Sequence, residues 1–301
     1  MEKNDYQFTN FKIHTQYSIC EGAVQIDKLK DYCKKNKILS VGISDTSNLF
    51  GALEFSEKIS KSGSQPIIGT QIYFKHNEEI GSLPLIAKNK NGYKRIMELS
   101  SKSFMENDSI SEPNCSIEEL YDSTENIIIL SGGINGLIGK LFVKGKFKDI
   151  DEIYKRFNQY YKKDFYIEIQ RHGDPNEKNF EKFNLNISSK YQIAIIASHE
   201  VYYIEKSTSD AHDALMCIGT KSYINDQNRI KLTSEHYLKS NDEMLKVFSD
   251  LPEALENNFN LPYRCSYKPF TSKPILPSIS VKDININDIL ILISFTEILG
   301  R

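Results

Sequence analysis

The sequence predicts an α/β protein that folds as a barrel of repeated strand–helix units. Short apolar runs typical of strands alternate with amphipathic runs typical of helices over about 210 residues, an order that favours parallel β/α units. About seven strands occur in that length, which suits a barrel better than an open sheet, although the pattern alone leaves both open. The composition, 40% hydrophobic and 26% charged residues, is that of a globular protein.

The predicted elements follow one another in a regular order. The first strand, NFKIHTQ, precedes a helix in which Ile26, Leu29, Tyr32 and Cys33 share one face. ILSVGISD is a buried-type strand, and the helix after it closes at Gly63. The remaining strands are predicted in PIIGTQIYF, SLPLIAKN, NIIILSGG, FYIEIQRHG and QIAIIASHEVYYI, and the remaining helices in NGYKRIMELSSKSF, IEELYDS, KDIDEIYKRFNQYYKK, DAHDALMCIG and SNDEMLKVFSDLPEALENNFN.

Polar residues collect at the predicted strand ends, where barrel enzymes carry their chemistry. These residues are His14, Gln16, Asp45, Gln71, Ser82, Gly132, Gly133, His172, His199 and Glu200. The three histidines and two carboxylates among them suit zinc, manganese or iron, and such a cluster would activate water for phosphoester hydrolysis. None of these strand ends carries an HxH or DxH pair, and strand-end polar groups also commonly face solvent or bond loop backbone.

Charge and cysteine content exclude several classes of protein. The net charge is -2 and the pI about 6.3, so no basic surface predicts strong binding to nucleic acid phosphates. The five cysteines include no CxxC pair, which excludes a zinc ribbon and favours free thiols in a reducing cytosol. No signal peptide and no membrane-spanning apolar run is recognised, so we expect a cytoplasmic protein without membrane contact.

Several motifs, taken in order, resemble a known family. FKIHTQYSICEGA, VGISDTSNLFGALEFSEK, QPIIGTQIYF, IILSGGINGLIG, YIEIQRHG, IIASHEVYYI and DLPEALENN resemble the N-terminal PHP (polymerase and histidinol phosphatase) domain of bacterial DNA polymerase III alpha subunits, most closely the alphaproteobacterial branch. The resemblance covers about residues 6–283. It implies a distorted (β/α)7 barrel in residues 1–270, followed in 271–301 by a linker and the truncated start of the polymerase region.

The resemblance also implies which metal ligands of the family are retained at the strand ends and which are replaced. Family members with an intact site bind a metal cluster through histidines, carboxylates and a cysteine, and hydrolyse phosphoesters, in some cases as a proofreading exonuclease. Here the ligands are replaced at Lys12, Thr46, Gln71, Ser82, Gly133 and Tyr202, and His14, Asp45, His172 and Glu200 remain. We therefore expect no catalytic residues and no cofactor, or at most one weakly bound manganese or zinc ion.

These expectations favour a structural part of a replicase. The chain would act in DNA replication, with the remainder of the alpha subunit and the proofreading exonuclease subunit as partners and with DNA met only indirectly. The family's polymerase palm lies beyond residue 301, so nucleotidyl transfer is not expected of this chain. The alternatives are a residual phosphoesterase or 3'-5' exonuclease using His14, Asp45 and Glu200, or a non-functional product; a truncation and a frameshift both explain the ending.

Overall fold

The computed structural model describes residues 6–107, 112–122 and 124–274, and the backbone of 280–281 and 284–285. Its contacts divide the chain into two compact units, Met1–Pro269 and Phe270–Arg301. The predicted linker and polymerase start, 271–301, lie mostly outside the described residues. No helix in the described part of the chain is both long and apolar enough to cross a membrane.

Strands and helices alternate through the first unit. The strands are β1 (Lys12–Ile13), β2 (Ser40–Thr46), β3 (Gln65–His76), β4 (Glu79–Ala87), β5 (Cys115–Ser116), β6 (Ile127–Leu130), β7 (Phe165–Ile169), β8 (Ile195–Ala197) and β9 (Glu200–Val201). The helices are α1 (Ile26–Asn36), α2 (Ala52–Lys61), α3 (Lys90–Met105), α4 (Glu119–Asp122), α5 (Leu137–Val143), α6 (Phe147–Tyr161), α7 (Glu177–Tyr191), α8 (Ser209–Thr220), α9 (Asn241–Val247) and α10 (Pro252–Asn260). In the second unit, β10 (Ser280–Val281) and β11 (Ile284–Asn285) form an antiparallel pair.

Seven strands form one mixed sheet, in the order β2-β3-β4-β6-β7-β8 with β5 beside β3. The pairs β2–β3, β6–β7 and β7–β8 are parallel, whereas β3–β4 and β4–β6 are antiparallel. The expectation of parallel units throughout is therefore wrong at β3 and β4. His76 pairs with Glu79, which leaves a two-residue turn, and a parallel crossover needs a dozen or more residues.

A separate parallel pair, β1 and β9, lies between the two ends of this sheet. The amide of Gly42 on β2 donates to the carbonyl of Asn10, just before β1, at 2.8 Å. Only glycine permits this approach, because a Cβ at position 42 would lie 2.7 Å from the carbonyl oxygen of Phe11. The sheet is curled into a half-barrel, and the predicted α/β barrel fold is confirmed in this form.

Asn258 on α10 forms hydrogen bonds with the segment before β1 and with the end of β8. Its amide oxygen accepts from the backbone N–H of Thr9 at 2.8 Å. Its amide nitrogen donates to the carbonyls of Thr9 and Ala197, each at 2.9 Å. The side chain is fully buried, so these bonds satisfy groups that water cannot reach and hold α10 against both β8 and the segment before β1.

Alternate residues of the strands face the two sides of the curled sheet. On β6, Ile127 and Ile129 belong to the large core that the sheet forms with α3, α5, α6 and α7. Ile128 and Leu130 face the other, concave side, where they pack with Tyr166. An apolar cluster therefore fills one end of the half-barrel.

The same concave face becomes polar farther along the strands. Gln71 lies four residues after Ile67 on β3, and Glu168 lies two residues after Tyr166 on β7, so each shares its apolar neighbour's face. Gln71 and Ser82 were expected at strand ends and lie instead within β3 and β4. The reason is the tight β3–β4 turn, which lets the two strands pair as far as His76 and Glu79.

The substitution Ser240→Ala is expected to destabilise the protein by about 1 kcal/mol. Ser240 caps α9: its hydroxyl accepts from the amide of Glu243, whose carboxylate accepts from the amide of Ser240 at 2.8 Å. Urea unfolding followed by circular dichroism measures the change. Ser189→Ala, an exposed serine within α7, is the control and should not destabilise. Equal stability of the two variants would contradict the capping role.

Candidate functional site

Lys12 on β1 lies inside the polar end of the half-barrel, with 2% of its side chain exposed. Its Nζ is 3.2 Å from Oε1 of Glu168 on β7 and 3.5 Å from Oε2 of Glu200 on β9. Burial alone would lower the pKa of Lys12, but the two carboxylates outweigh it and raise that pKa above its usual value. One charged ammonium group thus joins three strands.

Glu200 is the centre of the hydrogen bonds around Lys12. Its Oε1 accepts from Nε2 of His14 at 2.9 Å and from the amide nitrogen of Gln71. Burial would raise the pKa of Glu200, but the charge of Lys12 and the hydrogen bond from His14 hold it well below its usual range. Glu200 is therefore ionised and already engaged by three neighbours.

The imidazole of His14 is held on three sides. Its ring stacks on Tyr202, with centroids 4.2 Å apart and planes 13° from parallel. Its Nδ1 lies 3.3 Å from the hydroxyl of Ser18, which itself donates to Asp45 at 2.7 Å. Its Nε2 lies 2.9 Å from both Oε1 of Glu200 and the amide nitrogen of Gln71, so the ring is held through both of its nitrogens.

Asp45, at the end of β2, binds the turn that follows β1. Its Oδ1 accepts from the amide of Thr15 at 2.6 Å and from the hydroxyl of Ser18 at 2.7 Å, and its Oδ2 accepts from the hydroxyl of Thr15 at 2.8 Å. Burial raises the pKa of Asp45, and these hydrogen bonds offset that rise only in part. Both oxygens of the Asp45 carboxylate therefore accept hydrogen bonds from Thr15 and Ser18 in the turn after β1.

A cavity of about 280 Å³ opens onto this cluster. Of the ten positions at which the resemblance implies retained or replaced ligands, eight line it: Lys12, His14, Thr46, Gln71, Ser82, Gly133, Glu200 and Tyr202. Asp45 and His172 are buried but do not line it. The sequence motifs therefore meet at one place in the fold, although they come from six different segments of the chain.

A family model described as the PHP domain matches residues 10–172. This range includes most of the strands around the cavity. The chain belongs to the PHP family. The resemblance inferred from its motifs is confirmed, and residues 173–274 continue the same half-barrel through β8, β9 and α8 to α10.

Several curated relatives of this PHP domain share one name. Proteins named DNA polymerase III subunit alpha are 32% identical over 284 residues in Caulobacter vibrioides, 34% over 283 residues in Rickettsia prowazekii and 32% over 288 residues in Borreliella burgdorferi. Each match covers more than 90% of this chain: 92%, 93% and 91%. The chain spans about a quarter of the length of these relatives.

One solved structure was matched over most of this chain. It is a Bifidobacterium adolescentis protein assigned as a metal-dependent phosphoesterase, and it matches with a TM-score of 0.44 and 12% sequence identity. The match covers 80% of this chain and 95% of that one.

The residues present in this PHP domain do not fit a metal cluster. Among the described residues, no group of three or more His, Cys, Asp or Glu side chains is arranged to hold a metal ion. The ammonium of Lys12 lies against Glu168 and Glu200, and a divalent cation bound by either carboxylate would meet its charge at close range. Gln71 and Ser82 bring neither charge nor imidazole.

Glu168 is a site residue that the sequence pattern did not single out. It is fully buried and contacts Lys12 directly. Gln170 also donates to it, at 2.5 Å. The available signal was its place in FYIEIQ, where Phe165, Ile167 and Ile169 face the large core and Glu168 alternates with them. A carboxylate on the inner face of a buried strand requires a partner charge, and Lys12 supplies it.

His172 stabilises loops instead of facing the cavity. Its Nδ1 lies 3.1 Å from Glu177, and its Nε2 accepts from the backbone amide of Glu200 at 3.1 Å. Its ring is stacked between His199 and His236, with centroid distances of 4.6 and 4.0 Å. His199, also among the candidate ligands, lies 2.8 Å from the carbonyl of Tyr237 through Nε2, which fits donation to that carbonyl.

Lowering the pH from about 7.5 to about 5.5 is expected to reduce the free energy of unfolding by about 1 kcal/mol for each of His199 and His236. Burial is the main cause that holds both pKa values well below the usual value. The unfolded chain takes up these protons near pH ~6.5, so stability is present above that pH and is lost below it.

Urea unfolding across this pH range measures the effect. The variant His236→Asn should show a shallower loss of stability on acidification than the unmodified chain, because one imidazole with a depressed pKa is gone. A stability that stays constant or rises as the pH falls to about 5.5 would contradict the assignment of neutral, buried imidazoles.

Proposed function

We propose that this chain is the PHP barrel of a replicative DNA polymerase III alpha subunit and that it serves in DNA replication as a scaffold and not as a hydrolase. Its similarity to proteins named DNA polymerase III subunit alpha, over more than 90% of its length, supports the place in the replicase. This chain does not bind DNA itself in the proposed role, and other parts of the replicase contact the DNA.

The observation that carries the scaffold role is the buried ammonium of Lys12 between Glu168 and Glu200. In a metal-dependent hydrolase, carboxylates in such a position are free to bind a cation that activates water. Here a covalently attached cation is paired with both of them. The site then contributes to the folded structure by linking β1, β7 and β9.

Metal content and nuclease activity test this role. The full chain is purified, its bound manganese, zinc and iron are measured by mass spectrometry, and a labelled single-stranded oligonucleotide is offered in the presence of Mn²⁺. The scaffold role predicts metal far below one equivalent and no cleavage above a buffer control. Stoichiometric metal, with cleavage that is lost in a folded Asp45→Ala variant, would instead establish the residual phosphoesterase or 3'-5' exonuclease.

The proposed partners are the remainder of the alpha subunit and the proofreading exonuclease subunit. The chain spans about a quarter of its relatives, so such a protein has further parts to contact. Large apolar side chains are exposed on the described surface, among them Phe50 at 70%, Ile218 at 71% and Tyr223 at 80%, and side chains of this kind form the centres of protein interfaces.

Docking of the exonuclease subunit is tested by retention on the immobilised chain. The exonuclease subunit of the same replicase should be retained at micromolar concentration, and an unrelated protein of similar size should not. The absence of retention at that concentration contradicts the docking role, but it leaves the metal measurement and the scaffold role in the alpha subunit unaffected.

A further inference from the structure

A small cavity of about 10 Å³ lies between β7 and α7, behind the ion pair of Lys12. Glu168 and Asn184 both line it, and both side chains are completely or almost completely buried. Within the described part of the chain, Oε2 of Glu168 and Nδ2 of Asn184 find no hydrogen-bond partner. A buried carboxylate oxygen and a buried amide N–H are each costly when left without a partner.

We propose that this cavity binds one structural water molecule. The space is about that of a single water, and such waters usually satisfy buried polar groups that lack a protein partner. One water can donate to Oε2 of Glu168 and accept from Nδ2 of Asn184. A metal ion or other cation does not fit, because the amide N–H would point its positive end at it.

The orientation of Asn184 follows from its other contact. The hydroxyl of Tyr154 on α6 donates to Oδ1 of Asn184 at 2.9 Å. That bond directs Nδ2 away from Tyr154, where it is free to meet the water. If the amide were reversed, two acceptors, Oδ1 and the carboxylate of Glu168, would face the same small cavity.

The water completes a chain of buried contacts. Lys12 is paired with Oε1 of Glu168, and the water continues from Oε2 to Asn184 and from there to Tyr154. The ion pair on the concave face is thereby connected through the sheet to α7 and α6. This water site depends only on these side chains and holds whether or not the barrel serves as a scaffold.

A crystal structure of the full chain, at a resolution that shows ordered water, tests the proposal. We expect a density peak within about 2.7–3.2 Å of both Oε2 of Glu168 and Nδ2 of Asn184. In solution, the side-chain amide protons of Asn184 should show a nuclear Overhauser effect to a long-lived water. An ordered cavity with no peak, a peak that contacts only one of the two atoms, or an amide refined in the reversed orientation overturns it.

Two variants separate the water from general packing. Asn184→Leu removes the amide and should abolish the peak. Ile187→Val, farther along α7, alters the packing but leaves Asn184 and Tyr154 in place, and this variant should retain the peak. Loss of the peak in Ile187→Val, or its persistence in Asn184→Leu, contradicts the proposed ligands. If Asn184→Leu does not fold, the crystal structure and the Overhauser effect of the unmodified chain still decide.

Discussion

The substitution Lys12→Met is expected to destabilise the fold by about 3–5 kcal/mol, since it leaves two buried carboxylates without their cation. Glu168 is fully buried and Glu200 is only 12% exposed, so solvation by water compensates little for the missing charge. Methionine preserves most of the volume of the lysine side chain, so a loss of packing does not explain the destabilisation. Urea unfolding measures the loss of stability. EDTA is present so that no divalent ion takes the place of the ammonium.

A second substitution shows whether charge is the cause. In the double variant Lys12→Met, Glu168→Gln, one of the uncompensated charges is removed, and part of the lost stability should return. Lys178→Met on the exposed side of α7 is the matched control and should leave stability nearly unchanged. A Lys12→Met protein as stable as the unmodified chain would show that the ammonium contributes nothing to holding β1, β7 and β9 together.

The fold could be predicted from the sequence where periodicity is strong. The face of α1 that contains Ile26, Leu29 and Cys33 is buried as its spacing predicts. QIAIIASHEVYYI, predicted as one strand, divides into β8 and β9, and His199 between them contacts the carbonyl of Tyr237. Likewise one predicted helix divides into α9 and α10, since Pro252 begins a new helix.

The candidate site was predicted in its location and not in its internal contacts. Eight positions named from motifs line one cavity, because each motif follows or lies on a strand of the same curled sheet. The partner of Lys12 was not foreseen, because Glu168 is 156 positions away in sequence (168 − 12) and belongs to no recognisable pair. Which carboxylate meets a buried lysine depends on strand order and register, and those follow from packing of the whole sheet.

The substitution Asp45→Ala is expected to cost about 3–5 kcal/mol of stability, even though the position resembles a metal ligand of the family. The carboxylate accepts three hydrogen bonds, from the amide and hydroxyl of Thr15 and from the hydroxyl of Ser18. All three residues are buried, so the donors released by the substitution have no water to bond. Thermal and urea unfolding measure the loss, with Asp31→Ala on the exposed side of α1 as the control.

The two roles of Asp45 predict different responses to metal. If Asp45 held a metal ion, the unmodified chain would be stabilised by added Mn²⁺ and destabilised by EDTA, and Asp45→Ala would remove that dependence. If Asp45 acts only on the turn after β1, neither reagent changes the unmodified chain, and Asp45→Ala is equally destabilised in both. Asp45→Asn sharpens the comparison: its Oδ1 can still accept from Thr15 or Ser18, so it should lie between the unmodified chain and Asp45→Ala in stability, again independently of Mn²⁺.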